Sequence, residues 1–341
     1  MRRYVTLAQL LTLLVLSIFA LPTIQAQEPH ELKIPAGLPK LRIPADNKLT
    51  SAKITLGKQL FFDPRLSLDN TVSCATCHDP AKGWSNGETF AIGVGGQRGA
   101  RNTPTIVNSG YQTFQFWDGR ALKLEGQALA PIENPLEMNM PMAKLIDKVN
   151  AIPGYQKQFK EIFGTQATNE TMAAALASYE RTILSGDAPY DRFVAGDKTA
   201  LSASAQRGLE IFNNKGHCSA CHPGPKFTDG GFHNLGVGMN APRPDVGREA
   251  ISKLLGDRGS FKTPSLRDIA RTPPYMHDGS HATLESVVDL YDRGGNPNPQ
   301  LDEEIFPLNL SAEEKADLVT FLKEGLAGAA YPIHEKPKLP E

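Results

Sequence analysis

The pentapeptides Cys74-Ala75-Thr76-Cys77-His78 and Cys218-Ser219-Ala220-Cys221-His222 contain every cysteine of the 341-residue chain. Cys-x-x-Cys-His is the attachment signature of c-type haem. Two thiols three positions apart form thioethers with the two vinyl groups of one porphyrin, and the adjacent imidazole turns back onto the iron. Cys74, Cys77, Cys218 and Cys221 are therefore expected to anchor two covalent haem c groups, with His78 and His222 as proximal iron ligands. A tetrathiolate zinc site would leave the histidine after each pair unexplained. Four cysteines in a chain of this length are too sparse for a disulfide framework.

Both motifs belong to a longer internal repeat. Aligned on Thr103-Pro104 and Thr263-Pro264, the halves place Trp117-Asp118-Gly119 on His277-Asp278-Gly279, and Leu124-Glu125 on Leu284-Glu285, without a gap. The same register sets Tyr291 against Pro131. A phenol can bind iron, whereas proline has no side-chain donor. A haem with Pro131 over its distal face would keep an open sixth position, where a small oxidant binds.

Helices must hold these residues. Apolar spacing predicts them over 53–62, 155–163, 170–184, 203–212, 283–291 and 313–326. Ser311 and Glu314 form a capping-box start for the last, and Gly186 is expected to end the long central one. The predicted class is mainly α, with two tandem cytochrome c-like haem domains over 27–190 and 191–341 and a boundary near 187–198. The 26 prolines suggest long ordered connections between short helices, and the Pro-rich segment 28–44 reads as an extended leader.

The first 26 residues read as a signal peptide: a basic Met1-Arg2-Arg3 start, a mostly apolar stretch from Val5 to Leu21, and a cleavage site at Ile24-Gln25-Ala26. Gln9, Thr12 and Ser17 interrupt the apolar stretch, which favours export over an uncleaved anchor and leaves no stable membrane span after processing. Haem c is attached on the exported side of a bacterial membrane, so the periplasm is the expected compartment. With 36 basic and 37 acidic side chains, the net charge of −1 is no nucleic-acid footprint.

Several further motifs stand in one order with the two haem signatures: Arg101-Asn102-Thr103-Pro104, Phe116-Trp117-Asp118-Gly119-Arg120, Gln127, Pro131, Asn134-Pro135-Leu136-Glu137-Met138 and Tyr275-Met276-His277-Asp278-Gly279. In these the chain resembles the bacterial di-haem cytochrome c peroxidases and MauG-like enzymes over nearly its whole mature length. The resemblance implies a peroxidatic haem in 27–190, an electron-transfer haem in 191–341, and Trp117 between them as a relay. It implies that Glu137 moves the peroxide proton and that Gln127 orients peroxide or water. Each also has a plainer reading: a solvated loop glutamate, a surface or packing glutamine, a core aromatic. His277, the repeat partner of Trp117, reads as structural.

Two departures from the ordinary peroxidases define a subtype. Val94, within Gly93-Val94-Gly95-Gly96, stands where many of them carry a histidine that caps the first iron, so that iron is expected to be reactive without prior reduction. Tyr291 stands where they carry a methionine ligand and where MauG carries a tyrosine. An anionic phenolate stabilises higher iron oxidation states, whereas a thioether raises the reduction potential. An ordinary buried tyrosine also fits the spacing, leaving Met276, Met239 and His281 as rival ligands. The resemblance further implies a calcium ion held through the Asn102 side chain and the Thr272 and Pro274 carbonyls.

The expected activity is reduction of hydrogen peroxide to water, fed by a small soluble electron donor such as a cytochrome c or a cupredoxin. One alternative is a MauG-like oxidase that uses a diferryl state to modify residues of a partner protein. Another is a non-catalytic di-haem electron carrier.

Overall fold

The structure, a computed structural model, describes residues 28–341, and the expected signal peptide lies outside them. The first half contains α1 (Ser51–Phe61), α2 (Cys74–Cys77), α3 (Leu124–Ala128), α4 (Ala130–Glu133), α5 (Met142–Asn150), α6 (Pro153–Phe163) and α7 (Asn169–Glu180). After α8 (Pro189–Val194), the second half contains α9 (Ala203–Asn213), α10 (Glu249–Ser252), α11 (Leu284–Asp292) and α12 (Ala312–Thr320). Two short strands, β1 (Phe232–His233) and β2 (Phe261–Lys262), pair antiparallel with Phe232 opposite Lys262. The fold is mainly helical, as composition and spacing predict.

Each half is built on one close helix crossing. Thr50 caps α1 by accepting the Lys53 amide, and Thr168 caps α7 by accepting the Thr171 amide. α1 packs along α7 at Gly57, where a Cβ would overlap the Ala175 carbonyl. In the second half α9 packs along α12 at Gly208, where a Cβ would overlap the Asp317 carbonyl. A side chain at either glycine would force the backbones apart. Buried side chains form a separate cluster over each crossing: Leu56, Leu60, Phe61, Trp84, Phe159 and Tyr179 in the first, Phe212, Phe227, Val288, Leu318 and Phe321 in the second.

Three expected helices end differently. The central one stops at Glu180 with Arg181 as its cap, and Gly186 lies in extended chain beyond it. The Thr182 hydroxyl and amide both turn back to the Tyr179 carbonyl, which closes the helix at Glu180 rather than at the expected Leu184. The last helix has the expected Ser311–Glu314 capping box, but after Thr320 it widens into a π turn, Phe321–Gly325. The helix expected over 283–291 begins one residue later, with Thr283 as its cap.

The repeat is visible in backbone hydrogen bonds. Gln115 N–H donates to the Ala121 carbonyl at 2.7 Å, and Tyr275 N–H donates to that of His281 at 2.7 Å. Asn108 and Asp268 both adopt left-handed backbone, as do Phe116 and Met276. α3 and α11 start at equivalent residues, yet α3 is five residues long and α11 nine. Pro131 explains the difference: proline cannot continue a helical ladder, so α3 stops and α4 restarts with that proline in its first turn.

The linking helix α8 is fixed to the second half by a buried ion pair. Arg267 forks onto both carboxylate oxygens of Asp191 at 2.8 Å, with both side chains almost fully buried. The Pro-rich leader joins this junction through the Ala36 carbonyl, which accepts the Asp187 amide. The last residues of the chain cross back to the first half. Tyr331 Oη donates to the Pro80 carbonyl, Trp84 Nε1 to the Pro332 carbonyl, and Arg65 to the Pro340 carbonyl.

Candidate functional site

One cavity of about 930 Å³ brings together most of the residues singled out by sequence. Its walls include Cys77, His78, Gln127, Pro131 and Glu137 from the first half, Cys218, Cys221, His222 and Tyr291 from the second, and Trp117. Cys74 lies one helical turn from Cys77, packed against the first core cluster.

Each motif is a single turn of helix that stops at its histidine. Ser73 caps α2, and His78 N–H closes the turn onto the Cys74 carbonyl; His222 N–H does the same onto that of Cys218. His78 Nδ1 faces the Trp84 carbonyl at 3.1 Å, and His222 Nδ1 faces the Phe227 carbonyl at 2.9 Å. A carbonyl only accepts, so Nδ1 carries the proton and Nε2 keeps its lone pair for a metal. Burial lowers the pKa of both imidazoles, that of His222 to about 4, which keeps them neutral and ligand-ready. Desolvation raises the Cys77 thiol to about 11 and the Cys218 thiol to about 12. These are neutral thiols at the wall of a cavity, each pair followed by a metal-ready imidazole.

The cavity also suits the rest of a porphyrin. Four buried side-chain atoms without a hydrogen-bond partner line it: Thr103 Oγ1, Ser109 Oγ, Thr263 Oγ1 and Glu180 Oε2. Orphaned polar atoms in an apolar wall call for an occupant that is mostly apolar yet carries polar groups. Haem, an apolar ring with two carboxylates, has that character.

Glu137 sits in the loop after α4. Its amide donates to the Asn134 carbonyl at 2.9 Å, and its carbonyl accepts the Val94 amide at 2.8 Å. Gly93 packs so closely on the Leu136 and Glu137 backbone that a Cβ would overlap it. Asn134 Nδ2 donates to Glu137 Oε1 at 2.6 Å. Desolvation raises the Glu137 pKa, countered by the Asn134 hydrogen bond and the Arg120 charge. Gln127, on α3, is half-buried, and its side-chain amide makes no hydrogen bond among the described residues. Val94 is buried in the first core cluster and is not part of the cavity wall.

Trp117 is held from both halves. Its Nε1 donates to the Asn102 carbonyl at 2.9 Å, and its own carbonyl accepts the Lys262 amide at 2.7 Å. His277, its repeat partner, stacks on Phe261 with ring centroids 3.5 Å apart and accepts the Asn102 amide at its carbonyl.

Tyr291, near the end of α11, lines the cavity, and its phenol makes no hydrogen bond among the described residues. Burial, with Cys218 and Cys221 nearby, pushes that phenol well above its ordinary pKa. Of the rival ligands, Met276 shares the cavity. Met239 and His281 are not in its wall, and His281 Nδ1 is hydrogen-bonded to Ser280 Oγ at 2.9 Å. Asn102, Thr272 and Pro274 all line the cavity, and Asn102 spends its Nδ2 on the Glu88 carbonyl. Among the described residues, no three His, Cys, Asp or Glu side chains converge as a metal site.

Two wall residues escaped the sequence reading. Glu180 is buried at the C-terminus of α7, its carboxyl pushed up to about 8 chiefly by desolvation. Nothing in its spacing marks it. Lys262 is buried on β2, its ammonium lowered to about 8 by desolvation alone. The repeat does mark Lys262, which stands in the register of Asn102.

Helical fold, paired Cys-x-x-Cys-His turns on one cavity, and a desolvated carboxylate in its wall define a c-type haem oxidoreductase. The family described as "Di-haem cytochrome c peroxidase" matches residues 51–199. The chain is 45% identical over 284 residues to "Methylamine utilization protein MauG" of Methylorubrum extorquens, covering 82% of this chain and 80% of that one. It is 38% identical over 360 residues to "Cytochrome-c peroxidase IdrP1" of Denitromonas iodatirespirans, covering 96% of each. Among solved structures it is similar to "a MauG-like protein associated with microbial copper homeostasis", with a TM-score of 0.79 at 32% identity over 89% of this chain and 97% of that one. The chain belongs to the di-haem cytochrome c peroxidase family, and it is a peroxidase.

Proposed function

We propose that the chain reduces hydrogen peroxide at the His78 side of the cavity, with electrons supplied by a small soluble redox protein through the His222 side. The balance is H2O2 plus two electrons and two protons to two waters. When bound at Cys74/Cys77 and Cys218/Cys221, haem supplies the irons at which peroxide is reduced and through which electrons pass. The observation that carries the reading is Glu137, a desolvated carboxylate in the same cavity wall as His78 and as Pro131, which cannot ligate a metal.

Glu137 acts on the proton. Asn134 occupies Oε1, which leaves Oε2 to take a proton from one peroxide oxygen and return it to the departing one. Its raised pKa brings it closer to neutrality, where a carboxyl both accepts and releases a proton readily. Gln127 has an uncommitted amide with which to orient peroxide or water. Trp117 is fixed by the Asn102 and Lys262 bonds, as a relay between two redox centres requires. In this reading residues 27–190 and 191–341 are the peroxidatic and electron-transfer domains, the compartment is the periplasm, and a calcium ion binds near Asn102, Thr272 and Pro274. No helix among the described residues is long and apolar enough to cross a membrane.

A second use of the same site, oxidation of residues on a partner protein, is favoured by Tyr291. Its free phenol shares the cavity with His222, which supports a tyrosine-ligated iron suited to holding an oxidising equivalent. Stoichiometric peroxide added to the fully ferric protein tests both readings. Prompt loss of the high-spin ferric signal without reductant is expected. A requirement for prior one-electron reduction would mean a capped first iron and an ordinary, reductively activated peroxidase. No reaction in either state would leave a di-haem electron carrier.

A further inference from the structure

Lys262 is a buried cation that the reaction above does not use, and unlike Arg181 and Arg267 it is in no ion pair among the described residues. Only 8% of it is exposed, and its Nζ has no hydrogen-bond or ion-pair partner among the described residues. It lines the main cavity and also a small pocket of about 170 Å³ beside it. An unpaired buried ammonium is strongly disfavoured unless an anion meets it.

The protein's own carboxylates do not meet it. Asp229, the one carboxylate of the small pocket, is taken by His233 Nε2 at 2.9 Å and by the Gly231 amide at 2.8 Å. In the main cavity Asp118 and Asp245 are held by Arg101, Glu137 by Asn134, and Glu304 by His217. Glu180 keeps one free oxygen but makes no ion pair with Lys262.

Other unsatisfied donors share the wall. Thr103 Oγ1 and Ser109 Oγ are buried without partners among the described residues, and Thr263 Oγ1, adjacent in sequence, has only the Asp229 carboxylate near it, outside good hydrogen-bond geometry. Three hydroxyls, none in a good hydrogen bond among the described residues, and one unpaired ammonium form the donor set of a carboxylate site. The Thr263 carbonyl accepts Thr228 Oγ1 at 2.7 Å, one residue after Phe227, whose carbonyl receives His222 Nδ1. This chain of contacts sets the Lys262–Thr263 segment on the His222 side.

We propose that Lys262, with Thr263, is a positioning residue that receives a propionate of the His222 haem and thereby sets the potential of that haem. The inference rests on the di-haem reading. A cation at a propionate favours the added electron, so its removal lowers the reduction potential. Because the Lys262 amide also holds Trp117, side chain and backbone of one residue would tie the second haem to the relay.

The test is spectroelectrochemical titration of the purified holoprotein. Two covalent haems per chain are first counted in the wild type; a lower count would overturn the di-haem reading and this inference with it. In Lys262→Met, the His222 haem should show at least a tenfold less favourable reduction equilibrium, 59 mV for one electron, with the His78 haem unchanged. Lys262→Arg should keep the wild-type value. Unchanged potentials in a Lys262→Met protein that carries both haems would overturn the proposal and leave the di-haem reading standing. If Lys262→Met does not mature, Thr263→Val serves: a downward shift of the same haem supports the site, and an unshifted potential overturns it.

Discussion

The Lys262 amide donates to the Trp117 carbonyl at 2.7 Å, and its repeat mate, the Asn102 amide, donates to the His277 carbonyl at 2.7 Å. These two bonds exchange between the duplicated halves, each reaching across to the other copy. The arrangement is that of two equivalent units clasped face to face, with chemically different side chains at equivalent positions. Tryptophan faces histidine, asparagine faces lysine, and proline faces tyrosine in the shared register.

Replacing Glu137 tests the proton role. Glu137→Gln keeps the Asn134 contact at Oε1 but cannot accept a proton. The value of kcat/KM for peroxide should fall by about a hundred- to ten-thousand-fold, with haem content unchanged. Stopped-flow turnover with a reduced donor would show it, and activity within a few-fold of wild type would remove Glu137 from the chemistry.

Tyr291→Phe removes the free phenol while preserving the ring that packs on the second core cluster. If Tyr291 ligates the second iron as proposed, a second equivalent of cyanide or carbon monoxide should then bind. If ligand binding stays at the wild-type stoichiometry, attention moves to Met276.

Glu180 gives stability a pH dependence. Its folded pKa of about 8 lies above the ordinary 4.5, so the folded chain holds a proton that the unfolded chain has released. Stability contributed by that proton is complete below about 4.5 and is lost as pH rises through 8, at up to about 1.4 kcal/mol per unit. Urea midpoints measured at pH 5 and pH 8 should fall more steeply for wild type than for Glu180→Gln. Parallel falls would mean that another group carries the dependence.

The Arg267–Asp191 fork should behave as a buried pair. Asp191→Ala leaves the guanidinium charged and nearly fully enclosed, which should cost about 3–5 kcal/mol in equilibrium unfolding. A loss under about 1 kcal/mol would mean that Arg267 finds another acceptor.

What sequence reveals here is what repeats. The Cys-x-x-Cys-His turns, the register linking Trp117 to His277, and the capping box at Ser311 are local patterns, and local patterns are legible. The early end of the central helix was not, because a single hydroxyl at Thr182 competes with the helical ladder and outweighs the apolar spacing. Nor was Glu180, whose burial depends on residues far away in the chain. Lys262 was half-legible: the repeat placed it opposite Asn102, but only folding shows that its charge has no partner.

The crossing of the C-terminal tail has a consequence for biogenesis. Trp84, whose carbonyl fixes the His78 tautomer, is itself held by the Pro332 carbonyl and packs edge-on against His334. The residues that brace the first Cys-x-x-Cys-His turn from behind thus leave the ribosome well after both attachment motifs. A nascent chain that has passed both attachment motifs still lacks this brace, so the proximal side of the first site is finished only when residues 332–334 have emerged. The copy that comes first in sequence thus waits on residues that follow the attachment motif of the second.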